Sequence, residues 1–334
     1  MSNGRSEDWS KGADLSAIET ASWPLAEVDK PGVGFEEEGN EKDTRPLALD
    51  FLSIAISPNV RKLFDILPGL EPEIDLALKD SASDFISGSE PLQDEVINPV
   101  FEEVLKIVTR ETAGNNYHNV DHMFHDLPEL AQVFLAFLKE RDFEFSKYEQ
   151  QCLFLALVLH DAKHGGRMGK DFPDFKTNIK PTLEFANDFL KDKVPLEMRV
   201  RVLCIILATT SFDDRFKPEN LLECFAVMID LGNFWPSFES FMENNLKVSK
   251  ESEGFETFDS WYAFTKGFLT GYCREMGDSF YQFAKTPAFL QLVDEYQRRR
   301  AFRISEIDAY AEKYHNGDDI PYRDEIGDLI VPRQ

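Results

Sequence analysis

From Leu47 onward, apolar residues recur at helical spacing. The runs are "LALDFLSIAI", "PVFEEVLKIV", "LPELAQVFLAFLK", "EQQCLFLALVL", "IKPTLEFANDFL" and "MRVRVLCIILATT". Short clusters of Pro, Gly, Asp and Ser separate them. Pro195 and Pro218 fall between periodic stretches, where helix breakers belong. Strand patterning is poor. "RVLCIILATT" is β-branched, but its length and flanks suit a buried helix equally well. No repeat of fixed period is present. The pattern predicts a single all-α domain over residues 48–316, then a charged tail over 317–334. Residues 1–47 are rich in Gly, Ser, Glu and Asp, the composition of a disordered acidic segment, with room for a short docking helix around Leu15 to Leu25.

Composition narrows the partners. The chain has 334 residues, 43% of them hydrophobic, enough for a sizeable core. Its 36 Lys and Arg against 61 Asp and Glu give a net charge of −25, a field that repels nucleic acid and anionic membrane surfaces. An anionic small molecule would need local cations or metal ions. No signal-peptide pattern opens the chain, and the apolar run Cys152 to Leu159 is too short to span a bilayer. The four cysteines, Cys152, Cys204, Cys224 and Cys273, lack metal-site or redox spacing and read as buried, reduced thiols. The expected location is cytoplasmic.

Chemistry concentrates in one third of the chain. Five of the 6 histidines lie between positions 118 and 164, three of them in "NNYHNVDHMFHD". Placed on a helix, His118 and His122 share a face, with His125 near it. Farther on, "CLFLALVL" leads directly into His160 and Asp161, with His164 four residues after His160. An Asp at a helix C-terminus opposes the helix dipole, and a local cation would offset that. Asp230 follows the apolar run of "CFAVMIDLGNFW" in the same way. Imidazoles and carboxylates together suit a divalent metal. The bland alternatives are scattered histidines on a polar helix and turn-forming aspartates.

The order His122, then His160-Asp161, then Asp230 resembles the HD superfamily of metal-dependent phosphohydrolases. More narrowly, "YHNVDH" (Tyr117 to His122), "HDAKHGG" (His160 to Gly166), "NIKPTLEFA" (Asn178 to Ala186), "LATT" (Leu207 to Thr210) and "IDLGN" (Ile229 to Asn233) are similar to successive motifs of class I 3',5'-cyclic nucleotide phosphodiesterases. The resemblance covers roughly residues 100 to 275 and implies an HD/PDEase-like helical fold. It implies that His122, His160, Asp161 and Asp230 hold a tighter, zinc-like ion, and that Asp161 bridges to a second ion, Mg or Mn. It further implies that His118 is the general acid, that His164 and Glu184 orient water, and that Tyr117 and Asn119 hold the His118 segment. The implied reaction is hydrolysis of a cyclic-nucleotide phosphodiester by metal-activated hydroxide. His125 is assigned to structure or surface.

The sequence departs from the phosphodiesterase pattern at Lys163, Gly165 and Gly169. If Phe268 aligns with the phenylalanine that clamps a purine, Thr265 stands where a glutamine would grip it. Arg110, Lys163, Arg167 and Lys170 are candidate outer phosphate contacts. Two alternatives stay open: an HD-type phosphohydrolase acting on another nucleotide or phosphorylated metabolite, and a degenerate HD domain that binds nucleotide or metal and signals.

Overall fold

The computed structural model describes residues 57–80, 90–166, 178–210, 216–252 and 255–330. The expected disordered segment 1–47, with its docking helix, lies outside the described residues, as do Arg167, Gly169 and Lys170. Among the described residues the chain is all-helical and forms no β-strand. The α-helices of the described residues number thirteen: α1 (Pro58–Ile66), α2 (Leu70–Asp80), α3 (Asp94–Glu111), α4 (Leu127–Lys139), α5 (Lys147–Leu159), α6 (Lys180–Leu190), α7 (Leu196–Thr209), α8 (Leu221–Asp230), α9 (Phe238–Glu251), α10 (Phe258–Gly267), α11 (Cys273–Phe280), α12 (Pro287–Asn316) and α13 (Arg323–Ile330). π-helical turns include His122–Asp126 before α4 and Phe268–Tyr272 between α10 and α11.

Three helices form the centre. α7 packs between α5 and α8, and all three are apolar nearly all the way round, the pattern of helices with no solvent face. α1 and α6 cover α7, and α3 covers α5. The long α12 crosses α4, α10 and α11 on the other side. Local chemistry sets the boundaries. Ser146 and Glu149 form a reciprocal capping box at the start of α5, and Thr257 and Ser260 do the same for α10. Gly317, at φ 78°, closes α12 in the left-handed conformation that glycine adopts without strain. The segment expected as a tail contributes α13, which packs on α9 and α10 with Ile326 fully buried.

One buried cation fixes the turn after α8. Arg303 of α12 is 4% exposed and donates to the carbonyls of Phe234 and Pro236, while also pairing with Glu306 at 2.6 Å. This ties the long helix to the chain immediately past Asp230. The four cysteines are free and buried. Burial pushes their thiols up, that of Cys152 to about 12. No helix among the described residues is long and apolar enough to cross a membrane.

Candidate metal centre

α5 runs straight into the site. His160 is its C-cap, and Asp161 opens the turn that follows. The His160 Nδ1–H donates to the carbonyl of Leu157 at 2.9 Å. That bond selects the tautomer and leaves the Nε2 lone pair facing inward. Nε2 lies 2.8 Å from Asp161 Oδ2 and 3.3 Å from Asp230 Oδ1, yet it is buried and forms no hydrogen bond of acceptable geometry. Two carboxylates facing that nitrogen favour positive charge there, either a proton on the ring or a metal cation in the proton's place. Burial opposes a charged ring, but the Asp161 and Asp230 charges outweigh it and hold the His160 pKa well above the ordinary imidazole value.

His122 completes this group. One ligand atom each from His122, His160 and Asp230 lies within 4.8 Å of the others. Burial and the neighbouring His160 and His118 rings hold the His122 pKa well below its usual value, so it is a neutral ligand with a lone pair to offer. Its Nδ1 is buried and unpartnered. The π-helical turn that begins at His122 is a local over-widening of the helix of the kind that gathers at functional sites. Tyr117 packs on the His122 ring at 4.2 Å between centroids and meets His118 edge-on at 5.0 Å.

His118 is not on the helix that the spacing suggested. It sits in the turn before it, and its ring lies 5.9 Å from that of His122. The backbone there is held by Asn119, whose Oδ1 accepts from the amides of Asp121 and His122 and whose Nδ2 donates to the carbonyls of Asn115 and Asn116. His118 Nδ1 bonds Glu251 Oε2, and the other Glu251 oxygen accepts from the Tyr117 amide at 2.6 Å and the His118 amide at 3.2 Å. His118 Nε2 points toward Asp161 Oδ2, 4.0 Å away. Burial pushes the His118 pKa down, but the Asp161 charge and the Glu251 bond and charge raise it above the usual value on balance.

His164 stacks on His118 with centroids 3.8 Å apart and rings 24° from parallel. Burial and the His118 ring hold its pKa down to about 4. Asn115 joins the two backbones. Its Nδ2 donates to the carbonyls of His118 and His164 at 2.7 and 2.8 Å.

Glu251 is the residue of this cluster that the sequence does not announce. It closes α9, far from any histidine in the chain, in the ordinary-looking charged stretch "KVSKESEG". Glu184, expected near the water, lies instead on the exposed side of α6, where it pairs with Lys180 at 3.7 Å. The carboxylate beside His118 comes from Glu251. The α6 segment reaches the turn after Asp161 by other atoms: Thr182 Oγ1 accepts from the Lys163 amide, and Asn178 Oδ1 from the Gly165 amide.

The substrate-contact expectations are redistributed too. Lys163 pairs with Glu111 at 2.9 Å and lies over the Phe185 ring. Arg110 bonds the same Glu111. Thr265 is buried and donates to Asn245 Oδ1 at 3.1 Å, while Trp261 Nε1 donates to Ser249 Oγ. Thr265 therefore pins α10 to α9, the helix that presents Glu251, and has no free group for a base. Phe268 is half-buried in the π-helical turn before α11, stacked beside Tyr272. His125 is exposed.

No protein-family model matches the chain, and neither a curated protein nor a solved structure matches it.

Proposed function

We propose that this protein is a metal-dependent phosphohydrolase of the HD type, with a 3',5'-cyclic nucleotide as the first substrate to test. The observation that carries the reading is the His160 Nε2 atom, buried between two carboxylates without a hydrogen bond. The donor set of His122, His160, Asp161 and Asp230 fits a divalent ion of borderline softness, with Asp161 the carboxylate able to share oxygens with a second, harder ion. A divalent ion held there supplies Lewis acidity toward phosphoryl oxygens and a nucleophile at neutral pH.

The chain's own residues supply the rest. His118 holds a proton at Nε2, on the side of Asp161 and away from Glu251, where a departing alkoxide oxygen can take it. Glu251 fixes the ring's orientation through Nδ1 and keeps its backbone in place through two amide bonds. Tyr117 keeps its hydroxyl proton, since burial and the charges of Asp230, Asp126 and Asp161 raise its pKa well above the ordinary value. The buried, bonded Thr265 favours a second reading, a phosphorylated metabolite or nucleotide not gripped through its base.

A panel of cyclic nucleotides, nucleoside monophosphates and simple phosphodiesters, each with added zinc, manganese or magnesium, separates the two. Asp161→Ala abolishes turnover on whichever substrate is cleaved. Full activity in that variant, or purified protein that neither contains nor responds to any divalent metal, removes the proposal.

A further inference from the structure

Beside the His122, His160 and Asp230 group lies a second set of donors. His118, His164 and Glu251 each bring a ligand-type atom, and these atoms fall within 4.8 Å of one another. Glu251 and His164 are 4% and 7% exposed. Two imidazoles and one carboxylate make up a donor set used for zinc when a fourth position is left to water or substrate.

The donors are held before any ion arrives. Asn115 ties the backbones of His118 and His164 together. The Tyr117 and His118 amides grip Glu251 Oε1. His164 Nδ1 accepts from the Gly166 amide at 3.1 Å, so its Nε2 is the atom left to offer. Asp161, 4.0 Å from His118, adds a second negative charge at the edge of the group. The stacked rings are not yet in coordination geometry. One imidazole must turn about its Cβ–Cγ bond, and the His118–Glu251 hydrogen bond is exchanged for a bond from each to the ion, its proton leaving to solvent.

We propose that His118, His164 and Glu251 form a further, inhibitory site for a zinc-like divalent cation, which silences the proposed reaction by ligating His118 at Nδ1 and leaving a neutral ring that gives up its Nε2 proton far less readily than an imidazolium does. The cation site stands on the proximity of the three donors and the bonds that hold their backbones, and only its inhibitory effect rests on the hydrolase reading.

Competition between the folded full-length protein and a chromophoric zinc chelator tests it. Wild type should bind one zinc equivalent that Glu251→Gln and His164→Gln each weaken at least tenfold, while His122→Ala loses a different equivalent and keeps this one. Thermal melting by circular dichroism checks that each variant is folded, and the use of two variants guards against the failure of one. Wild-type stoichiometry and affinity in both Glu251→Gln and His164→Gln overturn the site. Filling the added equivalent should suppress wild-type turnover at least tenfold, and unchanged turnover overturns the inhibitory role. If no phosphoester is cleaved while the Glu251-dependent equivalent still binds, the hydrolase reading falls and the cation site stands. If turnover needs His122 and zinc but the Glu251 variant binds zinc as wild type does, the reverse holds.

Discussion

Glu223, in the first turn of α8, is 2% exposed and has no part in the candidate metal centre. Its carboxylate accepts from Asn59 Nδ2, the Glu219 amide and Asn220 Nδ2, each at 2.8 Å, so it joins α1 to the start of α8. Glu219 faces it, itself bonded to the Asn59 amide and paired with Lys62 at 3.2 Å. Burial, helped by the Glu219 charge, outweighs the three bonds and raises the Glu223 pKa to about 7 from an ordinary 4.5. The folded protein therefore binds a proton here that the unfolded chain releases between those two values. Stability falls as pH rises through that window, by about 3 kcal/mol, and the cost is complete above pH 7. Glu223→Gln cannot ionise. It leaves buried donors facing an amide nitrogen, a penalty of roughly 1–3 kcal/mol that does not change with pH. Urea unfolding of both proteins at intervals from pH 4.5 to 8 reads the difference. The variant should gain about 3 kcal/mol on wild type across the range. A difference constant to within about 0.5 kcal/mol would refute the assignment of a buried, titrating carboxylate.

Other outcomes follow from the candidate metal centre and the proposed reaction. His118→Ala should lower kcat by ~10²–10⁴-fold while the ion of the His122, His160, Asp161 and Asp230 group is retained, which metal analysis alongside kinetics checks. Since Glu251 helps to raise the His118 pKa, Glu251→Gln should move the alkaline loss of turnover to lower pH, and a pH profile in the same position denies that partnership. Gly166→Ala places a methyl 2.2 Å from Asn115 Oδ1 at φ 64°, so urea unfolding should show a loss of at least ~1–2 kcal/mol from the backbone conformation alone. Glu184→Ala, on an exposed ion pair, should leave stability within ~0.5 kcal/mol and turnover unchanged.

Much of the fold is legible along the chain. Helical periodicity marks α3 to α7 because each buries a continuous stripe or its whole surface, and burial acts on every residue of such a stripe. The run "CLFLALVL" ending in His160 and Asp161 was readable for the same reason: polar groups at the end of a buried helix need a partner. Spacing was less secure at the helix ends. The i,i+4 interval placed His118 near His122 but could not say that His118 stands in a turn, since capping and the π-helical widening at His122 are settled by bonds such as those of Asn119.

What the sequence by itself determined is the set of candidate ligands and the helices that carry them. Residue chemistry and helical period are local properties. Which carboxylate stands beside His118 was decided only in three dimensions. Glu184 and Glu251 are both glutamates near helices, and nothing local separates them. α6 turns Glu184 to solvent. α9, pinned by Thr265 and Trp261 of α10, delivers Glu251 across 133 residues of chain to the His118 ring. Packing of one helix on another makes that choice, and no periodicity within either helix records it.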